Sequence, residues 1–258
     1  MAIASKKIRW IKTLSEFLLA KFPFINALTL LMLLAERSPK ESFPPINPHI
    51  IYINLGICVV CGVLMSIRLQ ANKAVLIYAG QLLYFAYTFY SNAKLNYGEW
   101  HRIHIATRHV GCAGIYIMFA SFLDNQKSVA SRNQLQRIGE ILLGIYFFAY
   151  MYTLNNSPDY RRAFMDHVPG EDWSRYFATV ALAGCALSFI SGHFVRDVCL
   201  FSSFVVIFMT LVVDGDLFYW TNRGVHYWNQ IRMTLDNICA VVGFVYFSIR
   251  LENRIKVE

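Results

Sequence analysis

The chain has 258 residues, 56% of them hydrophobic and only 16% charged, with a formal net charge of +8. Soluble domains carry about a quarter charged residues and do not expose long apolar runs, so this composition excludes an ordinary water-soluble fold. The basic residues flank apolar runs and form no stripe interleaved with aromatics, which points to lipid headgroups and away from nucleic acid.

A helix needs about 20 apolar residues to cross the hydrocarbon layer. Eight segments approach that length: roughly 15–34, 50–68, 74–91, 102–122, 138–154, 174–194, 197–214 and 230–249. Lys6, Lys7, Arg9 and Lys12 precede the first run, and no small-residue cleavage site follows it, so it is expected to stay as an anchor. Glu16, Lys21 and Pro23 weaken that run, and Ser38-Pro39-Lys40 with Pro44-Pro45 should end it, because proline cannot continue a helix. Polar residues from Lys127 to Gln136 mark a connection. The fifth run is short. The longest loop is expected from Asn155-Asn156-Ser157-Pro158 to Pro169-Gly170-Glu171-Asp172. Asn155-Asn156-Ser157 matches a glycosylation acceptor, but it abuts a helix end and precedes proline, so it reads as an ordinary turn. A few residues around His193 to Asp197 join the sixth and seventh runs as a tight hairpin.

With eight spans, the termini and the even-numbered loops share one side. That side holds the larger share of lysine and arginine, including Arg68, Lys73, Lys127, Arg132, Arg137, Arg196 and Arg250. Both termini are therefore expected in the cytoplasm.

The two halves look alike. Leu34-Ala35-Glu36-Arg37-Ser38-Pro39 answers Thr153-Leu154-Asn155-Asn156-Ser157-Pro158, and Leu55-Gly56-Ile57-Cys58 answers Leu182-Ala183-Gly184-Cys185. Trp100-His101-Arg102-Ile103 answers Trp228-Asn229-Gln230-Ile231. The expected fold is an all-α integral membrane protein of two tandem pseudo-symmetric four-helix bundles, residues 1–126 and 138–258, joined by a loop at 127–137. Two halves of equal orientation would be related by an axis along the membrane normal.

Ionisable groups inside spans usually face a protein interior or a watery cavity. His104 and Arg108 are four apart at the start of the fourth span, as are Arg232 and Asp236 at the start of the eighth, so each pair shares a helix face. The repeat places Arg108 opposite Asp236 and His104 opposite Arg232. Arg108 is expected to pair with Asp236, and Arg232 with Asp236 along its own helix. The surrounding polar pocket would be rimmed by Glu99, Asp214, Asp216 and His226. These charges could equally cap helix ends and hold the bundle together.

Tyr97, Trp100, Tyr219, Trp220, Tyr227 and Trp228 fall on the same side and suit an aromatic belt at headgroup level. An aromatic lining for a quinone-like or lipid ligand is the alternative; no other cofactor is expected. His101, His104, His109 and His226 lack a further ligand at metal spacing. Cys58-x-x-Cys61 has redox spacing but lies in an apolar helix, where thiols behave as small hydrophobes. No catalytic or nucleotide-binding motif is present.

Pro23-Phe24, Leu31-Met32-Leu33-Leu34-Ala35-Glu36-Arg37 and Tyr97-Gly98-Glu99-Trp100 resemble the transmembrane protein 101 family. So do Gly144-Ile145-Tyr146, His167-Val168-Pro169-Gly170, Leu187-Ser188-Phe189-Ile190-Ser191-Gly192, Asp214-Gly215 and Trp228-Asn229-Gln230. Each half more distantly resembles the DoxX-type four-helix module. The resemblance implies a polytopic membrane protein with no assigned catalytic residue, linked to activation of NF-κB signalling. Three readings remain open. One is a non-enzymatic scaffold, chaperone or signalling modulator that meets other membrane proteins through helix faces bearing Gly56, Gly62, Gly111 and Gly114. The others are a small-molecule or proton carrier using the charged cluster, and a membrane redox or lipid-modifying enzyme.

Overall fold

A computed structural model describes residues 2–37, 48–91, 99–123 and 128–255. Ser38, Pro39, Lys40, Pro44, Pro45, Tyr97 and Lys127 lie outside the described residues, as do the side chains of Lys6 and Lys7. The helices are α1 (Ala2–Arg37), α2 (Pro48–Ser66), α3 (Ala71–Ser91), α4 (Glu99–Leu123) and α5 (Val129–Asn156). They continue as α6 (Pro158–His167), α7 (Glu171–Ser191), α8 (Val195–Met209), α9 (Leu217–Thr221) and α10 (Tyr227–Ile255), and a π-helical turn, Thr210–Asp214, extends α8.

Among the described residues, seven helices are long and apolar enough to cross a membrane: α1, α2, α4, α5, α7, α8 with its π turn, and α10. The chain is a multi-pass helical membrane protein. α3 also has 21 residues, but Asn72, Lys73, Gln81 and its tyrosines lower its hydropathy. In α1, Pro23 sits inside a continuous helix. Glu16 pairs with Arg68 (3.1 Å), and Lys21 donates to Ser66 Oγ (2.8 Å), so the charges that weaken this run in sequence have partners on its α2 side.

Each helix packs on its neighbours in the order α1, α2, α3, α4, α5, α7, α8, α10, and α10 closes on α1. α4 and α10 also meet across the middle. α4 is the innermost span, 89% of its most apolar window being buried, against 28% for α7. Small residues allow this. A Cβ on Gly139 would lie 2.9 Å from the Gly114 carbonyl oxygen, so α4 and α5 cross backbone to backbone. The outer faces stay apolar: Trp173 is 83% exposed and Phe177 77%. In water such a surface would aggregate; in lipid it is simply solvated.

Two expectations change. Residues 158–167, expected as loop, form α6: Ser157 accepts from the Tyr160 N–H (3.2 Å) and Pro158 takes the first turn, where its missing N–H costs nothing. Residues 129–137, expected as connection, are the first turns of α5, started by Ser128, and the fifth run is thereby a 28-residue helix. The α7–α8 hairpin is as tight as expected, with Gly192 and Phe194 in left-handed conformation. Asn155, the last but one residue of α5, donates from its amide nitrogen to the Met151 carbonyl (2.9 Å) and to Thr179 Oγ1 (3.0 Å).

Candidate functional site

The last turn of α8 loosens into the π turn, a local expansion often found at functional positions. Thr210 Oγ1 turns back to the Val206 carbonyl (2.6 Å) and accepts from Asn237 Nδ2 (2.9 Å). Gly215 fits the exit because any Cβ there would lie 2.8 Å from the Thr210 carbonyl oxygen. The carbonyls that a helix end leaves open are taken by side chains: Trp220 Nε1 donates to Val213 O (2.9 Å) and Gln230 Nε2 to Asp214 O (2.6 Å).

This end geometry drives the Asp214 side chain into the bundle, where it is 1% exposed. A carboxylate removed from water is tolerated only when charge and hydrogen bonds replace hydration. Asp214 Oδ2 accepts from Arg108 Nη2 (2.6 Å), Tyr150 Oη (2.9 Å) and Asn237 Nδ2 (2.9 Å). Oδ1 faces Tyr160 Oη (3.2 Å) and His104 Nε2 (3.5 Å). Arg108 also donates from Nε to Asn237 Oδ1 (3.1 Å), and its guanidinium lies 5.6 Å from the Tyr150 ring centre. Tyr160 has one proton for two acceptors, Asp214 and Tyr150 Oη (3.0 Å). Five elements therefore converge on one acid: α4, α5, α6, the π turn and α10.

The expected Arg108–Asp236 and Arg232–Asp236 pairs are not formed. Arg108 reaches the acid at the end of α8 instead. Arg232 extends toward α4, donating to His109 Nε2 (2.9 Å) with its guanidinium 4.9 Å from the Phe85 ring centre. His109 Nδ1 faces the Ile105 carbonyl (2.7 Å). Asp236 is buried, and its Oδ2 has no hydrogen-bond partner among the described residues; its main-chain oxygen accepts from Cys112 Sγ (3.4 Å). Helical spacing places Arg232 and Asp236 on one face, but the longer side chain finds a partner across the interface.

Of the expected rim, Asp214 is the centre, not the edge. Glu99 is exposed in the first turn of α4. His226 is half-buried just before α10. Asp216 caps α9, accepting from the Tyr219 N–H (2.8 Å). Trp220, expected in an interfacial belt, is 2% exposed, packed between Trp100 (5.3 Å) and Tyr160 (6.0 Å). Tyr150 and Tyr160 were missed in sequence; only the Ser157-Pro158 start of α6 could have flagged Tyr160 as ordered.

α6 and α9 form a lid over the acid. His167 Nε2 meets Asp216 Oδ2 (3.1 Å), and Tyr219 Oη donates to Asp166 (3.0 Å). The Arg223 guanidinium stacks 4.1 Å from the Tyr219 ring centre. Partial burial opposes a charged His167 ring, but the Ala163 carbonyl and the Asp216 carboxylate outweigh it and raise its pKa. The Tyr219 N–H and His167 lower that of Asp216. Burial, then the bond to Asp166, pushes Tyr219 up to about 12.

Elsewhere, Glu36 at the end of α1 accepts from the N–H groups of Tyr227 (3.0 Å) and Trp228 (3.2 Å), capping α10. All six cysteines are buried and free, Cys58 and Cys61 included. Gly62, Gly111 and Gly114 pack against Phe24, Tyr146 and α5, so they serve internal packing; Gly56 has open space beside it. No group of three His, Cys, Asp or Glu residues converges as a metal site among the described residues.

The model of the TMEM101 protein family matches residues 4–249 of this chain. No solved structure matches it.

Proposed function

The chain belongs to the TMEM101 protein family, and from that premise we propose that it is a non-enzymatic membrane scaffold or signalling modulator that works as a closed bundle. One observation carries the reading: both oxygens of the buried Asp214 are engaged by this chain's own side chains. A catalytic or transport carboxylate must release such partners to meet a substrate or exchange a proton. An acid with this many fixed donors instead holds helices together. Activation of NF-κB signalling, implied by the family resemblance, fits a role exerted through neighbours in the membrane.

The same reading takes α3 as the eighth span. The Glu36 cap sets α1 antiparallel to α10, so the start of α1 and the end of α10 share one end of the bundle, which needs an even number of crossings. Arg68, Arg137 and Arg250 lie at that end, in favour of cytoplasmic termini: Arg68 reaches Glu16, Arg250 the Phe122 carbonyl and Arg137 the Ile190 carbonyl. A tandem repeat is supported by the packing order, since exchanging α1–α4 with α5, α7, α8 and α10 maps each neighbouring pair onto another, with α4 and α10 at the axis.

Proteoliposomes containing the purified protein and a trapped pH dye test the functional claim. The scaffold reading expects no proton leak above that of empty vesicles, with or without candidate solutes. A flux that disappears in Asp214→Asn overturns it.

A further inference from the structure

Two hollows adjoin along the outer side of α4. The first is an apolar groove of about 390 Å³ between α3, α4 and α5, with Leu83, Tyr87, Ala106, Val110 and Ile145 among its walls. It opens outward, since Tyr87 is 69% and Ile145 47% exposed. The second, of about 200 Å³, is lined by Glu99, Trp100, Tyr152, Asn156 and Ser157. Ile103 is a wall of both.

The geometry is that of a lipid with its head outward. Glu99, Ile103, Ala106 and Val110 follow the three- and four-residue spacing of a single helix stripe. At 1.5 Å per residue the stripe rises about 16 Å, close to half of a roughly 30 Å hydrocarbon layer. Small residues, Ala86 and Ala106 on facing helices and Ala149 on α5, leave the space open. Together the two volumes suit one small ligand, within the roughly 300–1,000 Å³ typical of such sites. At the water-facing end one wall residue is an acid: Glu99 is exposed and has no ion pair among the described residues, and Arg102, one turn on, is not a wall of the hollow. Trp100 and Tyr152 add aromatic rings, which attract cations over their faces. A carboxylate or phosphate head would meet repulsion there.

We infer that this groove binds a single-chain amphiphile with an ammonium head, of the long-chain-base class, its chain along α4 and its head at Glu99. The site lies outside the Asp214 cluster and does not depend on the scaffold reading.

The test uses the full chain in nanodiscs and a photoactivatable sphingosine carrying a clickable tag. Labelling is expected to saturate and to map to residues 83–90, 103–110 and 145–152. Unlabelled sphingosine should displace it, and palmitate or lysophosphatidylcholine should not. Glu99→Gln should weaken capture about fivefold, as the loss of a partly exposed charge contact of roughly 1 kcal/mol would. Ala106→Trp should block it by filling the groove. Should that variant not fold, judged by its elution as an intact nanodisc species, Glu99→Gln still decides. Labelling spread evenly over the lipid-facing helices, equal displacement by palmitate or lysophosphatidylcholine, or unchanged capture by Glu99→Gln would overturn the proposal.

Discussion

Arg108 on α4 and Asp214 at the end of α8 meet at 2.6 Å across 106 residues of sequence, both almost fully buried. Their mutual attraction offsets the cost of desolvating each, so removing one strands the other. Arg108→Met and Asp214→Leu should each lower stability by about 3–5 kcal/mol, read as a lower unfolding midpoint in detergent. The double variant Arg108→Met, Asp214→Leu should recover much of the loss, because no uncompensated charge remains. Two single losses that simply add in the double variant would show that the pair is not coupled.

Asp236 supplies the contrast. Its Oδ2 has no hydrogen-bond partner among the described residues, so Asp236→Asn removes no bond made by that oxygen. The change should cost within about 1 kcal/mol, less than Asp214→Asn, which disturbs several donors at once. Exchanging Arg108 and Asp236 should rescue neither single change. Rescue would restore the pairing that the repeat alignment suggests.

The difference between these two acids explains what could and could not be read in advance. Span positions and the shared face of His104 and Arg108 follow from apolar run length and helical spacing. Membrane-depth charges also marked α4 and α10 as polar inside. The partner of Arg108 did not follow, because Asp214 stood at the end of a run and looked like a rim residue. Only the π turn carries it inward, and no single residue type announces such a turn. Tyr150 and Tyr160 were two among 15 tyrosines, whose hydroxyls acquire meaning only when α6 folds over the bundle. α6 reads as loop in sequence, because its polar surroundings hide the helix start at Ser157-Pro158-Asp159.

The lid should respond to pH. His167 has its pKa raised above 6.5, so the stabilisation it gives is fully present below that value and lost as pH rises through the raised one. Asp216 is lowered from 3.8, so its share is present above that value and lost as pH falls through the lowered one. Lid closure should thus be firmest between the two, in mildly acidic solution. Asp166 and Arg223 also face this contact, and Tyr219 stays protonated across the window. Hydrogen exchange of the α6 and α9 amides should be slower at about pH 5 than at about pH 8, after correction for intrinsic exchange. His167→Gln should flatten the difference; a corrected profile that is flat in the unaltered protein would remove the lid contact from consideration.

Gly139 tests the crossing that makes α4 central. A Cβ there would sit 2.9 Å from the Gly114 carbonyl oxygen and 2.9 Å from the Met118 nitrogen, and backbone cannot step aside as a side-chain tip can. Gly139→Leu should therefore force α4 and α5 apart and cost at least about 1–3 kcal/mol. The displaced α4 would carry Arg108 with it, so the same variant should speed exchange at Tyr150 and Asn237. Gly184 lies in α7 with nothing within 4 Å of its Cβ position. Gly184→Ala should be neutral or stabilise by up to about 1 kcal/mol, since alanine holds a helix better where space is free. Comparable gains at both positions would mean that helix propensity, not the α4–α5 approach, governs these glycines.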